Sequence, residues 1–186
     1  MEELFKYNEI IINKKQSEID FKKAGVVAII YPDKQEEHII IIKRNEYPGH
    51  HSGQLALPGG KLEKGDLNIL HAAKREVFEE IGVDLEPEKL VLFHEQWVDV
   101  SQFIITCFFV KLNQKPIFKL DEKEVNCILE IPVRELKNSD NHYLQELSYQ
   151  GRQYKSPYFL INDQKIWGAT AMILIKLFDL NEKFKQ

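Results

Sequence analysis

The segment from Leu57 to Val83, LPGGKLEKGDLNILHAAKREVFEEIGV, constrains the fold more than any other part of the chain. Asp66 follows Gly65 and can accept hydrogen bonds from the free N–H groups at a helix start. Gly82 can end the helix in the left-handed conformation without steric cost. Between these residues the apolar positions have helical spacing, which predicts a buried stripe of Leu70, Ala73, Val77 and Ile81.

The same helix carries a group of carboxylates away from the stripe. Glu76 and Glu80 are four residues apart and lie on one face, with Glu79 beside them. Arg75 can pair with Glu79, which offsets only part of their mutual repulsion. A divalent cation would offset the rest, because Mg²⁺ prefers carboxylate, carbonyl and water oxygens and often sits between carboxylates and phosphates. The Pro58–Gly60 turn lets the backbone approach such a site.

A charged, solvent-exposed helix face is the common explanation for an acidic run. It does not account for the Gly-Gly turn, the cap and the terminal glycine at matching distances. With these features the segment resembles the Nudix box: Gly, five residues, Glu, seven residues, then Arg-Glu-apolar-any-Glu-Glu-any-Gly-apolar. The match is complete from Arg75 to Val83. It departs earlier, because Gly60 is followed after five residues by Asp66 instead of Glu, and eight residues then precede Arg75.

The resemblance implies an α/β fold, namely an α/β/α sandwich with a mixed β-sheet. It also implies metal-dependent hydrolysis of a nucleoside diphosphate derivative, with Mg²⁺ or Mn²⁺ as cofactor. Glu76 and Glu80 would be the principal metal ligands, and Glu79 a further ligand or the base. Arg75 would hold Glu79, and the Gly60 carbonyl would complete the metal shell. The identity of the catalytic base stays open.

The segment that precedes the box narrows the resemblance to one subfamily. IIIKR followed by HSGQLALPGG is similar to the corresponding segment of coenzyme A pyrophosphatases, although Ile42, Gly49 and Leu57 replace the usual Thr, Arg and Phe. The residues that this resemblance assigns to substrate binding are Arg44, His51, Gln54 and Gly59. Taken singly, His51 is as well explained as a loop histidine and Arg44 as a surface cation.

The remaining chain predicts a single domain over residues 1–186, in which residues 1–22 form an arm or helix. Strands are expected at 24–30, 38–42, 90–94 and 103–110, and a hairpin at 149–160. Glu124 resembles a later family glutamate, which makes it a candidate ligand or base, or else a solvated side chain. Lys165 is expected to open a helix that runs through Leu177.

Composition limits the partners and the compartment. A formal charge of −4 argues against non-specific nucleic-acid binding. No apolar run reaches the roughly 20 residues of a membrane span, and the first residues lack the pattern of a signal peptide. Cys107 and Cys127 form no CxxC pair. We therefore expect a cytoplasmic protein with a small nucleotide substrate; its oligomeric state stays open, with a homodimer among the alternatives.

These patterns favour hydrolysis of coenzyme A or acyl-coenzyme A to 3′,5′-ADP and 4′-phosphopantetheine. Two alternatives stay open. One is a Nudix hydrolase for ADP-ribose, a dinucleotide or a nucleoside triphosphate. The other is a non-catalytic nucleotide sensor, which would not need to keep Glu76, Glu79 and Glu80.

Overall fold

The computed structural model describes residues 21–46, 53–149, 151–180 and 184–185. The described residues form ten strands: β1 (Lys22–Asp33), β2 (Glu36–Arg44), β3 (Leu55–Ala56), β4 (Gly59–Lys61), β5 (Val91–Val98), β6 (Phe103–Lys111), β7 (Val125–Pro132), β8 (His142–Tyr149), β9 (Arg152–Ile161) and β10 (Gln164–Trp167). The α-helices are α1 (Ile69–Ile81), α2 (Val133–Lys137) and α3 (Gly168–Leu177). Single 3₁₀ turns span Pro87–Lys89 and Ser139–Asn141.

The main sheet has seven strands and is mixed. Its central path runs β3-β2-β1-β6-β5, while β4 pairs with β1 and β7 pairs with β2. β1 and β6 are parallel, and the other pairs are antiparallel. The parallel pair is possible because α1 and β5 lie between β1 and β6 in the chain, long enough for a crossover. The predicted mixed sheet is confirmed.

The two faces of this sheet bury different layers, because successive side chains of a strand point to opposite faces. Val27 and Ile29 of β1 belong to the core that includes Ala73, Val77 and Ile81 of α1. Alternate residues of the same strand belong to a second core, shared with α3 and β9. The predicted α/β/α arrangement is therefore confirmed. Leu70, the first residue of the predicted α1 stripe, is only partly buried.

A second, three-stranded antiparallel sheet, in the order β10-β9-β8, adds to the α3 side. The predicted hairpin over 149–160 is present but begins earlier: its first strand is β8 (His142–Tyr149), and the predicted range covers mainly the second strand, β9. The prediction that Lys165 opens a helix is wrong. Lys165 lies in β10, where Ile166 is fully buried opposite Phe159. The helix begins only at Gly168, whose φ of +64° ends the extended strand.

The start of α1 also differs from the prediction. Asn68, not Asp66, is the N-cap, and its side chain accepts a hydrogen bond of 2.9 Å from the His71 backbone N–H. The Asp66 carboxylate is instead bound by Arg75 and His71. The predicted end is confirmed, since Gly82 has φ +72° and donates to the Phe78 carbonyl at 2.9 Å.

Within these described ranges, none of the helices combines the length and apolarity that a membrane crossing requires. Most of the predicted N-terminal arm, residues 1–20, lies outside the described part of the chain.

Candidate active site

Three glutamates meet between α1 and the turn that precedes β7. Glu76, Glu80 and Glu124 each offer a carboxylate oxygen, and these oxygens lie within 4.8 Å of one another. Glu76 and Glu80 share one face of α1 because they are one helical turn apart. Glu124 is the last residue before β7, and its carboxylate lies close to those of Glu76 and Glu80. The predicted helix face and the predicted Glu124 are thus brought to one place.

Glu80 is the most deeply buried member, with a side chain only 1% exposed. Its Oε2 accepts a hydrogen bond of 2.8 Å from the Gly59 backbone N–H. Its Oε1 is buried without a hydrogen bond, although Nη2 of Arg44 lies 3.3 Å away. Burial raises the pKa of Glu80 to about 7, while the Arg44 charge and the Gly59 N–H oppose that rise. A buried carboxylate oxygen without a hydrogen bond, beside two further carboxylates, fits a bound cation.

The Gly59–Gly60 turn lies directly against these carboxylates. A Cβ atom added to Gly60 would lie 2.2 Å from Cδ of Glu76. Gly59 has φ +138°, and an added Cβ would lie 2.3 Å from the Gly25 carbonyl oxygen. Only glycine therefore lets this turn approach the helix so closely. Burial also raises the pKa of Glu76, against the opposing influence of Arg75.

Arg75 connects the helix to the loop ahead of it. Its Nε and Nη2 donate to Oδ1 and Oδ2 of Asp66, each at 3.0 Å. Nη1 lies 3.0 Å from Oε1 of Glu76 and donates to Oε2 of Glu79 at 2.7 Å. The Asp66 hydrogen bonds raise the pKa of Arg75, and Arg75 holds the pKa of Asp66 below its usual range. Asp66 thus anchors the guanidinium that contacts Glu76 and Glu79.

Glu79 occupies a different position from the three clustered carboxylates. Its side chain is 52% exposed, and its carboxylate lies on Arg75. The predicted pairing of Arg75 with Glu79 is present at the expected spacing. The role of Glu79 as a ligand or base stays a prediction.

Three of the four residues predicted to bind substrate are described, and they differ in how close they lie to the carboxylate cluster. Arg44 ends β2 and donates to the Gly59 carbonyl at 3.2 Å while facing Glu80. Gln54 accepts a backbone hydrogen bond of 3.0 Å from Arg44, and Gly59 faces Glu80 through its N–H. His51 lies outside the described residues. Arg44 and Gly59 therefore contact Glu80 directly, whereas Gln54 is joined to the site only through the Arg44 backbone.

The donor set suits a hard divalent cation. All three clustered side chains are carboxylates, and oxygen donors favour Mg²⁺ or Mn²⁺ over softer metals. The surroundings are mixed in charge, since Arg44 and Arg75 each contact one clustered carboxylate. These residues could hold the ion and keep an adjoining phosphate in place.

Comparison with known proteins identifies the family. The family model described as NUDIX domain matches residues 21–148, which include all three clustered glutamates, both arginines and the Gly-Gly turn. The chain belongs to the Nudix family. The family assignment that the box predicted is confirmed.

Three curated Nudix relatives are 25–30% identical to this chain over the aligned residues. Nudix hydrolase 22, chloroplastic, of Arabidopsis thaliana is 30% identical over 168 residues, with 83% of this chain and 54% of the relative covered. Nudix hydrolase 15, mitochondrial, of the same plant is 30% identical over 162 residues, with 83% and 57% covered. The mitochondrial coenzyme A diphosphatase NUDT8 of Mus musculus is 25% identical over 152 residues, with 80% and 68% covered. The chain thus spans little more than half the length of the two plant relatives.

Solved Nudix structures share the fold. A MutT/nudix family protein from Enterococcus faecalis superimposes with a TM-score of 0.64 at 16% identity, over 92% of this chain and 68% of its own. A MutT NUDIX hydrolase from Burkholderia pseudomallei gives a TM-score of 0.56 at 18% identity, over 86% and 99%.

Sequence reasoning on this Nudix chain missed two contacts at the site. The Arg44–Glu80 contact joins residues from β2 and α1, and no local pattern indicates it. No sequence pattern marks Asn45, yet its backbone N–H donates to the Glu124 carbonyl at 3.0 Å. The one signal in the sequence is its position directly after Arg44, at a strand end beside a candidate substrate residue.

Proposed function

We propose that this Nudix chain hydrolyses the diphosphate bond of coenzyme A or acyl-coenzyme A, giving 3′,5′-ADP and 4′-phosphopantetheine. The observation that carries a hydrolytic role is the cluster of Glu76, Glu80 and Glu124, in which one buried oxygen of Glu80 has no hydrogen bond. A protein without a cation or catalytic task gains nothing from this repulsion, since buried charges are costly when unpaired. The cluster therefore argues for a working metal site.

The cofactor would be Mg²⁺ or Mn²⁺, held by Glu76, Glu80 and Glu124, with the Gly60 carbonyl and Glu79 as further candidate ligands. When bound, such an ion supplies neutralisation of the diphosphate charge and lowers the pKa of an attacking water. The fit rests on the oxygen-only donors and on the close approach of the Gly-Gly turn to Glu76.

The protein's own residues position the reaction. Arg75, anchored by Asp66, restricts the Glu76 and Glu79 carboxylates through its guanidinium. Arg44 holds a positive charge at the edge where a substrate phosphate would lie. A water oxygen forms a bond to one phosphorus, and the phosphoanhydride P–O bond breaks. The water proton passes to a carboxylate, for which Glu79 and Glu124 are the candidates.

Coenzyme A as the substrate is supported by the position of two candidate residues and by one relative. Arg44 and Gly59, which the coenzyme A pyrophosphatase resemblance assigns to substrate binding, contact Glu80, and Gln54, assigned likewise, accepts a hydrogen bond from the Arg44 backbone. NUDT8, one of the relatives, is named a coenzyme A diphosphatase. The direct partner would be this small nucleotide; a cytoplasmic location and the oligomeric state stay predictions.

A substrate comparison tests the proposal. Coenzyme A, dephospho-coenzyme A and ADP-ribose are incubated separately with the protein and Mg²⁺ or Mn²⁺, and the products are identified by mass spectrometry. We expect 3′,5′-ADP from coenzyme A, with a kcat/KM well above that for ADP-ribose, and loss of turnover in Glu80→Gln. Hydrolysis of ADP-ribose without hydrolysis of coenzyme A would refute coenzyme A as the substrate. Absence of turnover with every diphosphate tested would refute hydrolysis itself.

A further inference from the structure

Asn45 uses its backbone and its side chain to bind the turn that carries Glu124. Its backbone N–H donates to the Glu124 carbonyl at 3.0 Å, and its side-chain NH₂ donates to the Glu122 carbonyl at 2.8 Å. Its own carbonyl accepts a hydrogen bond of 3.1 Å from the Gly53 N–H. Asn45 therefore touches both the carboxylate turn and the end of the segment that leads to β3.

The strand geometry explains why Asn45 reaches this turn. The pairing of β2 with β7 shifts register between Lys43, opposite Cys127, and Arg44, opposite Val125. One extra residue on β7 makes a bulge, and bulges bend a strand and re-aim the residues beyond them. The pairing continues past the bulge, so that Asn45 meets Glu124 where β7 begins.

The opposite side of the turn is fixed to α1. The Asp121 N–H donates to the Glu80 carbonyl at 3.1 Å, and the Val125 N–H donates to the Asp121 carbonyl at 2.9 Å. The Asp121 side chain also accepts from the Lys123 N–H at 3.0 Å. The backbone around Glu124 is thus held between α1, through Asp121, and β2, through Asn45.

Backbone anchoring matters at Glu124 because its side chain is exposed, whereas Glu80 is locked by burial. A metal ligand binds well only when its geometry is set in advance, and groups that orient a ligand commonly affect metal affinity. We propose that Asn45 is a positioning residue that holds Glu124 toward Glu76 and Glu80. The inference rests on the proposed function insofar as Glu124 contributes to a metal site.

Mn²⁺ binding in the absence of substrate tests the inference. Free Mn²⁺ is measured by electron paramagnetic resonance, and heats of binding by calorimetry, for the whole chain. Loss of one net hydrogen bond should raise the Mn²⁺ Kd of Asn45→Ala about three- to tenfold. Asn45→Ser, whose hydroxyl is too short to replace the amide, should behave alike and covers the case in which the alanine variant is unstable.

A matched control separates positioning from general stability. Asn141 also donates from its side-chain NH₂ to a backbone carbonyl, that of Glu135 at 2.9 Å, and to Oε2 of Glu135 at 3.1 Å, away from the three clustered glutamates. Because it loses both bonds, Asn141→Ala should lower the melting temperature at least as much as Asn45→Ala but leave the Mn²⁺ Kd unchanged. With substrate, Asn45→Ala should raise the metal concentration for half-maximal rate, while kcat at saturating metal largely recovers.

A double-mutant cycle asks whether Asn45 acts through Glu124. In a Glu124→Gln background, Asn45→Ala should change the Mn²⁺ Kd by less than about twofold, because the ligand that it positions is already lost. An equal effect of Asn45→Ala in both backgrounds would overturn the inference, as would equal Kd values for parent and Asn45→Ala. If the parent itself binds no Mn²⁺, the metal site fails first and the role of Asn45 fails with it.

Discussion

Nη2 of Arg44 lies 3.3 Å from Oε1 of Glu80, the carboxylate oxygen that is buried without a hydrogen bond. The same Nη2 donates to the Gly59 carbonyl at 3.2 Å, so Arg44 brings positive charge to Glu80 without satisfying that oxygen. A cation at the cluster and the Arg44 guanidinium would therefore compete for one carboxylate. This competition links metal binding to the position of a predicted substrate residue.

Replacing Arg44 with glutamine should strengthen metal binding by the substrate-free protein. Removing a nearby positive charge relieves repulsion worth on the order of 1 kcal/mol after solvent screening, about fivefold in the Mn²⁺ Kd. Calorimetric titration of parent and Arg44→Gln measures the effect, with Lys115→Gln, whose partner is Glu130, as the charge-matched control. Weaker Mn²⁺ binding by Arg44→Gln would mean that Arg44 supports the site instead of competing for it.

Glu80→Gln should retain the fold and lose activity by orders of magnitude. Glutamine keeps the shape of the side chain and can still accept the Gly59 N–H, while the buried charge disappears. Because the ion-free protein no longer buries that charge, its melting temperature should equal or slightly exceed that of the parent. Circular dichroism melts in chelator and turnover at saturating Mg²⁺ provide the two measurements. Near-parental turnover would mean that Glu80 is not part of the active site.

Mn²⁺ should raise the melting temperature, because a ligand that binds only the folded state stabilises it, by about 2.7 kcal/mol at 100 times its Kd. Glu76→Gln should reduce this rise, since Glu76 belongs to the clustered carboxylates. Glu79→Gln is the matched comparison, because Glu79 lies on Arg75 and is 52% exposed. The structure predicts a smaller reduction for Glu79→Gln. A larger reduction for Glu79→Gln than for Glu76→Gln would mean that Glu79 is the closer metal ligand.

Asp66→Asn should destabilise the protein at neutral pH. The Asp66 carboxylate binds Arg75 through both oxygens, so its loss should cost about 1–3 kcal/mol of unfolding free energy. Arg75 holds the folded-state pKa of Asp66 below its usual value of 3.8, so the stabilisation is present above that value and is lost as the pH falls through the folded-state pKa.

Urea unfolding at pH 7 and at pH 3 tests this linkage. The parent should lose more stability between these conditions than Asp66→Asn, because only the parent has the carboxyl to protonate. Asp140→Asn is the control, since Asp140 is a largely exposed residue paired with Lys185. An exposed pair contributes little, so this variant should follow the parent. Parallel pH profiles for Asp66→Asn and the parent would contradict the assignment.

The parts of the fold that the sequence predicted are those with strong local patterns. The β-branched run Ile39–Ile42 predicted a buried strand, and the Glu76–Gly82 spacing predicted the carboxylate face and the helix end. Asp66 and Asn68 are both good caps, and the choice between them depends on Arg75, which lies nine residues after Asp66. Capping preferences depend on neighbouring residues and do not predict such a contact.

The remaining errors have the same origin in tertiary contacts. β10 runs into α3 without an intervening loop, and only its pairing with β9 makes Lys165–Trp167 extended. Arg44 and Glu80 meet because the Gly59 turn approaches both β2 and α1. The resemblance indicates Glu124 as a candidate, but only the sheet register and the β7 bulge opposite Lys43 and Arg44 explain how it comes close to the helix.

Replacing Arg44 with alanine tests which substrate the protein hydrolyses. The clustered glutamates would serve metal chemistry that all diphosphate substrates share, whereas the segment containing Arg44 is the basis for proposing coenzyme A in particular. Losing a charged hydrogen bond to substrate typically costs about 1.5–3 kcal/mol, roughly ten- to a hundredfold in kcat/KM. We expect Arg44→Ala to lower kcat/KM for coenzyme A by this amount.

The comparison that decides the role uses coenzyme A, dephospho-coenzyme A and ADP-ribose with parent and Arg44→Ala at saturating metal. A loss confined to coenzyme A would assign Arg44 to its 3′-phosphate, and a loss shared by both coenzyme A forms would assign it to the pantetheine side. An equal loss on all three would mean that Arg44 acts on the shared diphosphate or on Glu80. In that case the Arg44→Gln metal titration separates the two, because an effect through Glu80 also changes Mn²⁺ affinity in the absence of substrate.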